Sequence, residues 1–300
     1  MPPAPVNGYL VCGGLYHDMD YARLELLKLL GEHEHIRVRV AEDYRDCSAI
    51  AAADFLITYT CDVIPKPAEQ AALREFLGAG RRWLALHGTN SVLRFIKGRG
   101  WDAPRSEADF MGMVGSQFLA HPPLEPYRVE VSDTSHPLVA GIEPFEADDE
   151  LYLCEYHGEN HALLHTHFRG EAPGFVARFW PAAGASSDGA ATPAVEPAAS
   201  GPTPAPTPAH APAPAPAPAP APGSSPPGAP SSRQLVLYLH PHAGGEVLYC
   251  TLGHCRGKYD MRPMMAEYPA VERGSWKLPV YHELLRRGIR WASTPRGERS

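Results

Sequence analysis

Apolar residues in the first third of the chain follow two rhythms. Short continuous or alternating runs, GYLVCGG (8–14), IRVRVAED (36–43) and ADFLITYT (53–60), have the length and content of strands. Between them, YARLELLKLLGEH (21–33) and AEQAALREFLGAG (68–80) return their apolar residues every three or four positions, which predicts amphipathic helices. Asp18 or Asp20 is placed to cap the first helix, and Gly31 to help end it. RRWLALH (81–87) adds a fourth strand. With a short helix between the second and third strands, the order alternates strand and helix, which predicts a parallel sheet covered on both faces.

The second half is richer in strands. YRVEVSD (127–133), DELYLCEY (149–156), HALLHTHF (161–168) and GFVARFW (174–180) read as strands. QLVLYLHPHAGGEVLYCTLGH (234–254) reads as two more, around the turn His242-Ala243-Gly244-Gly245, and VYHELLRRGIRWAS (280–293) is a closing helix. Between GFVARFW and QLVLYLH, from about Pro181 to Ser232, the chain is nearly all Ala, Pro, Gly, Ser and Thr. That composition cannot bury enough apolar surface to offset the entropy of ordering it. The expectation is therefore one domain over 8–293, interrupted by a disordered insertion at 182–232, with disordered ends at 1–7 and 294–300.

Charge and cysteine usage narrow the partners. A formal net charge of -7 over 300 residues carries no basic footprint, so neither nucleic acid nor an anionic membrane is expected. The start, MPPAPVNGYLVCGG, lacks the basic and apolar regions of a signal peptide, and no run is long enough to span a bilayer. A cytoplasmic location and a small-molecule ligand follow as expectations, with a homo-oligomer left open. Six cysteines, Cys12, Cys47, Cys61, Cys154, Cys250 and Cys255, form no CxxC pair and read as reduced.

The chain's fifteen histidines are its most distinctive chemical feature. In open parallel sheets, ligands bind at the carboxyl ends of the strands. His17 follows the first strand in GGLYHD, and His87 follows the fourth in LALHGT. His121, held before two prolines in FLAHPP, Glu150 in DDELY and His254 in LGHCRG are further candidates. Taken singly, each is more often a surface or core residue than a functional one. Two HxH pairs, His165/His167 and His240/His242, put both rings on one strand face but lie beside turns or the insertion, which argues for a structural role. His33 and His35 read as a solvated helix end.

In order along the chain, GGLYHD, LALHGT, VGSQFLAHPP, HPLVAGI, DDELY and LYCTLGH resemble the ThuA-like family, named for trehalose utilisation. The resemblance implies a flavodoxin-like three-layer α/β sandwich with a mostly parallel central sheet, similar to class I glutamine amidotransferases. Those enzymes carry a nucleophilic cysteine in a sharp strand-to-helix turn, where this chain has His87 in ALHGT. An imidazole there cannot form the acyl-thioester of glutamine hydrolysis. The resemblance also implies an association with disaccharides and oxidised (3-keto) sugars.

The expected function is an enzyme of carbohydrate metabolism, a lyase, isomerase or hydrolase. His87, His17, Glu150, His121 and His254 would move protons, and Tyr16, Gly88, Thr89 and Tyr152 would bind the ligand. A variant places a divalent metal ion on His17, His87, His121 and His254, with Glu150 as base or ligand. The alternative is a non-catalytic sugar- or partner-binding module.

Overall fold

The computed structural model describes residues 5–176 and 232–294. The strands are β1 (Val6–Gly14), β2 (Ile36–Ala41), β3 (Phe55–Cys61), β4 (Arg82–Leu86), β5 (Arg94–Ile96), β6 (Gly100–Asp102), β7 (Ser116–Ala120), β8 (Glu125–Val131), β9 (Phe145–Asp149), β10 (Leu153–Tyr156), β11 (His161–Phe168), β12 (Ser232–His242) and β13 (Gly245–Cys250). The helices are α1 (Met19–Leu30), α2 (Cys47–Ala52), α3 (Pro67–Gly78), α4 (Ala108–Val114) and α5 (Pro279–Ser293).

Nine strands form one sheet in the order β2-β1-β3-β4-β13-β12-β11-β8-β9. Pairs from β2 through β13 are parallel, and those from β13 through β9 are antiparallel. The sheet is thus mixed, not mostly parallel as expected from the first half. The hairpin turn at Ala243–Gly244 explains the change: a tight turn reverses the chain, so β12 must oppose β13.

Strand alternation splits the core. Leu10 and Cys12 face α1 and α5, through Leu26, Leu29, Leu285 and Ile289, whereas Tyr9 and Val11 face α2, α3 and α4, through Ile50, Leu73, Phe76 and Phe110. The sheet is therefore covered on both faces, consistent with a flavodoxin-like sandwich. Asp18 caps α1, its carboxylate accepting from the Tyr21 amide at 3.1 Å.

Three local expectations change. β1 begins at Val6, because Val6 and Asn7 already pair with Ile36 and Arg37 on β2. DELYLCEY is not one strand: β9 ends at Asp149 and β10 begins at Leu153 in a separate ribbon with β7. The Asp149 carboxylate accepts four backbone N–H groups, from Glu150, Gly253, His254 and Ser275, and so turns the chain out of the sheet there. Of GFVARFW only Gly174–Val176 is described, with Phe175 bridging Trp101. The rest of it and most of the insertion lie outside the described residues, although Ser232 itself opens β12.

Candidate functional site

β1, β3, β4 and β13 run parallel, so their carboxyl ends share one rim. The loop after β1 brings His17 there, the turn after β4 brings His87, and the loop after β13 brings His254. His87 opens a 3-10 turn, His87–Asn90, with φ +45°, a conformation that costs a non-glycine residue about 1–3 kcal/mol. Gly88 makes the bend feasible: a Cβ there would lie 2.6 Å from the Thr60 carbonyl oxygen and 2.9 Å from Cys61 Cβ. The Tyr249 hydroxyl donates to the His87 carbonyl and fixes the turn from behind.

The side chains converge. His87 Nε2 lies 2.9 Å from His17 Nε2. Glu150 reaches all four expected histidines: Oε2 is 3.4 Å from His87 Nε2 and 3.8 Å from His17 Nε2, while Oε1 is 3.1 Å from His254 Nδ1 and 3.6 Å from His121 Nε2. His17, His87, Glu150 and His254 each offer a ligand atom within 4.8 Å of the others. His121 stands outside that inner set, and its side chain is 22 % exposed.

The outer ring nitrogens are anchored. His87 Nδ1 donates to the Thr251 carbonyl at 2.8 Å, and His17 Nδ1 faces the Leu15 carbonyl at 3.3 Å. His254 Nε2 meets the Glu272 carboxylate at 2.6 Å, and His121 Nδ1 the Pro122 carbonyl at 2.7 Å. Burial pushes the His17 pKa down to about 4, so its ring is neutral near pH 7. Burial would also lower His254, but the carboxylates of Glu150 and Glu272 raise it to about 10. Burial opposes ionisation of Glu150, yet the imidazoles around it, His254 and His121 foremost, hold its carboxyl well below the usual range.

A cavity of about 440 Å³ opens onto this cluster, lined by His17, Glu150 and His121, with His87 and His254 buried behind them. Of the residues expected to bind the ligand, Tyr16 and Tyr152 line it. Gly88 and Thr89 do not: Gly88 packs against β3, and the Thr89 hydroxyl bonds inward to the Leu86 carbonyl at 2.8 Å.

Sequence reasoning missed Trp101, Phe118, Phe175 and Tyr268 on the wall, and Arg256 and Glu272 at the floor. Arg256 pairs with Glu272 at 2.7 Å, while its buried Nε has no hydrogen-bond partner among the described residues. The signal available in the sequence was the Arg256 that follows His254 by two positions. Glu272 lies in a segment without periodicity.

The HxH pairs sit elsewhere. Both ring nitrogens of His240 face carbonyl oxygens, including that of Gly112 at 2.9 Å, which suits a structural role. His165, His167 and Glu130 form a second, more exposed group of candidate ligands. The rings of His33 and His35 meet edge to face at the end of α1, apart from the cavity. All six cysteines are free, and burial raises the Cys61 thiol well above its ordinary pKa, which disfavours the thiolate at the cavity wall.

The family model described as "ThuA: Trehalose utilisation" matches residues 10–267, and the chain belongs to that family. Among solved structures, a thua-like protein from Bacteroides uniformis ATCC 8492 superposes with TM-score 0.55 at 13% identity, covering 97% of this chain and 93% of that one. A second, from Parabacteroides merdae ATCC 43184, gives TM-score 0.53 at 13% identity, covering 97% and 90%. At that identity the likeness concerns the fold alone. No curated protein matches the chain.

Proposed function

We propose that the protein is an enzyme of carbohydrate chemistry that moves a proton at a carbon beside a sugar carbonyl. The observation that carries this reading is the cavity itself. Aromatic walls offer faces for the apolar side of a sugar ring, above a floor of imidazoles and one carboxylate.

His121 is the group for proton transfer. Its Nδ1 hydrogen is committed to Pro122, which leaves Nε2 as an acceptor beside Glu150. Nε2 takes the proton, the C–H electron pair moves toward the carbonyl oxygen, and an enediolate forms. Protonation at the same carbon exchanges or inverts it. Protonation at the former carbonyl carbon, with the adjacent hydroxyl proton passing to the former carbonyl oxygen, transposes the carbonyl. The elbow of the amidotransferase-like fold holds His87, which supplies no thiolate, so glutamine hydrolysis is not part of the proposal.

The family's description, trehalose utilisation, favours a disaccharide or its 3-keto derivative as ligand. A reducing, cytoplasmic setting fits the six free cysteines. Side-by-side pairing of β11 and β12 supports reading 182–232 as an insertion within one domain. Among the described residues no helix is long and apolar enough to cross a membrane.

The test is incubation of the full chain with disaccharides and their 3-keto derivatives in deuterium oxide. Mass spectrometry should show deuterium entering the carbon beside the ketone, and H121A should lower kcat about 10²–10⁴-fold. Tight binding without exchange or turnover for any sugar would instead identify a binding module.

A further inference from the structure

We infer that His17, His87, His254 and Glu150 form a mononuclear site for a divalent first-row transition metal ion, with His121 outside the ligand set. This inference rests on the cavity being the working site, but not on which sugar it takes.

Hydrogen positions carry the first part of the argument. A carbonyl or carboxylate oxygen can only accept, so the anchored nitrogens, His87 Nδ1, His17 Nδ1 and His254 Nε2, carry the hydrogens. In neutral rings the inner nitrogens are then bare lone pairs. Two of these, on His17 and His87, point at each other across 2.9 Å, an arrangement that is repulsive unless a cation or a proton stands between them, and a proton moved to His17 Nε2 would turn the Nδ1 lone pair toward the Leu15 carbonyl.

His254 supplies an independent sign. It is 1 % exposed, and its Nδ1 is buried without a hydrogen-bond partner among the described residues, although Glu150 Oε1 lies only 3.1 Å away. An imidazolium held between Glu150 and Glu272 would satisfy the charges at His254, yet it would leave the facing pair of His17 and His87 unresolved.

The spacing fits a small ion. Bonds of about 2.0–2.1 Å in a tetrahedron place ligand atoms about 3.4 Å apart. Here His17 and His87 Nε2 are 2.9 Å apart and lie 3.8 Å and 3.4 Å from Glu150 Oε2, His254 Nδ1 lies 3.1 Å from the other oxygen, Oε1, and one ligand atom from each of the four residues falls within 4.8 Å of the others. Three imidazoles and one carboxylate, with no thiolate, suit zinc, iron, cobalt, nickel or manganese in the divalent state and are poor for calcium or magnesium. The outer anchors, two carbonyls and the Glu272 carboxylate, are the partners that orient metal-bound histidines. Such an ion would polarise the carbonyl oxygen of a keto-sugar while His121 handles the proton.

The experiment uses the full chain, stripped with a chelator and reloaded with Zn2+ or Co2+ alone. Elemental analysis should then find about one ion per chain, and Co2+ should show the visible absorption of a four- or five-coordinate site. H121A and the double variant H165A/H167A should keep that ion, whereas H87A and E150Q should each lose at least 100-fold in affinity. Circular dichroism of each variant separates loss of ligand from loss of fold, and the Co2+ spectrum of the unmutated chain decides the matter where a variant fails to fold. No binding of either ion above background by the unmutated chain overturns the inference. So does loss of the ion in H121A or in H165A/H167A. Because no sugar is present, this result is independent of whether the proposed proton transfer occurs.

Discussion

Two histidine clusters in this molecule have nearly the same composition and different physics. His17, His87 and His254 lie beneath the cavity with Glu150, nearly all out of solvent, and each outer nitrogen is tied to an oxygen that can only accept. His165 and His167 lie on the face of β11 beside Glu130, partly or fully exposed. Among the described residues only His165 shows an anchor there, Ser132 Oγ at 2.8 Å, and that same oxygen accepts from Arg233. Bringing histidines together is thus the lesser requirement for a site. Fixing which nitrogen faces inward, away from water and other cations, is the greater one.

The comparison can be broken in several places. The largest effect is expected from metal removal. At an ion concentration of 1,000 Kd, binding at the inner cluster adds about 4.1 kcal/mol of stability, which a chelator removes as a fall in melting temperature of the full chain. Glu272→Gln should come next. The amide keeps the size of the side chain but weakens the hold on His254 Nε2, so Zn2+ affinity measured by competition with a chromophoric chelator should fall about 10–100-fold. A Gly88→Ala change should cost about 1–3 kcal/mol in urea unfolding, since its Cβ would meet the Thr60 carbonyl at 2.6 Å. His165→Ala with His167→Ala should move unfolding by no more than about 0.5 kcal/mol and leave metal content unchanged. An equal loss of metal at the two clusters would erase the distinction between them.

Much of this arrangement was legible in the chain, for identifiable reasons. Strand ends in the first half could be placed from apolar runs closed by glycine, so GGLYHD and LALHGT put His17 and His87 on one rim. The mixed character of the sheet was concealed because strand runs do not record direction, although the Ala243–Gly244 hairpin implied one reversal. Glu150 was legible as a residue but not as a break in the chain. Its position depends on Asp149 gathering four amides, three of them from residues more than a hundred positions away in sequence. His121 looked equivalent to the other histidines by sequence. Its separation from them is set by the Pro122 carbonyl and by the cavity mouth, features that exist only in the folded chain. Glu272 reaches the site from an irregular segment, where no periodic signal marks an inward-facing side chain, and Trp101 from β6, a strand of three residues and too short to show alternation.

The most direct test of the inner cluster is X-ray absorption at the zinc edge on the reloaded full chain. The account predicts a first shell of nitrogen and oxygen only, at about 2.0–2.1 Å, with the outer-shell scattering of three imidazole rings. A sulfur shell at about 2.3 Å would assign the ion to a cysteine such as Cys61, and a single imidazole would place it at the surface. Either result would contradict the site built on His17, His87, His254 and Glu150.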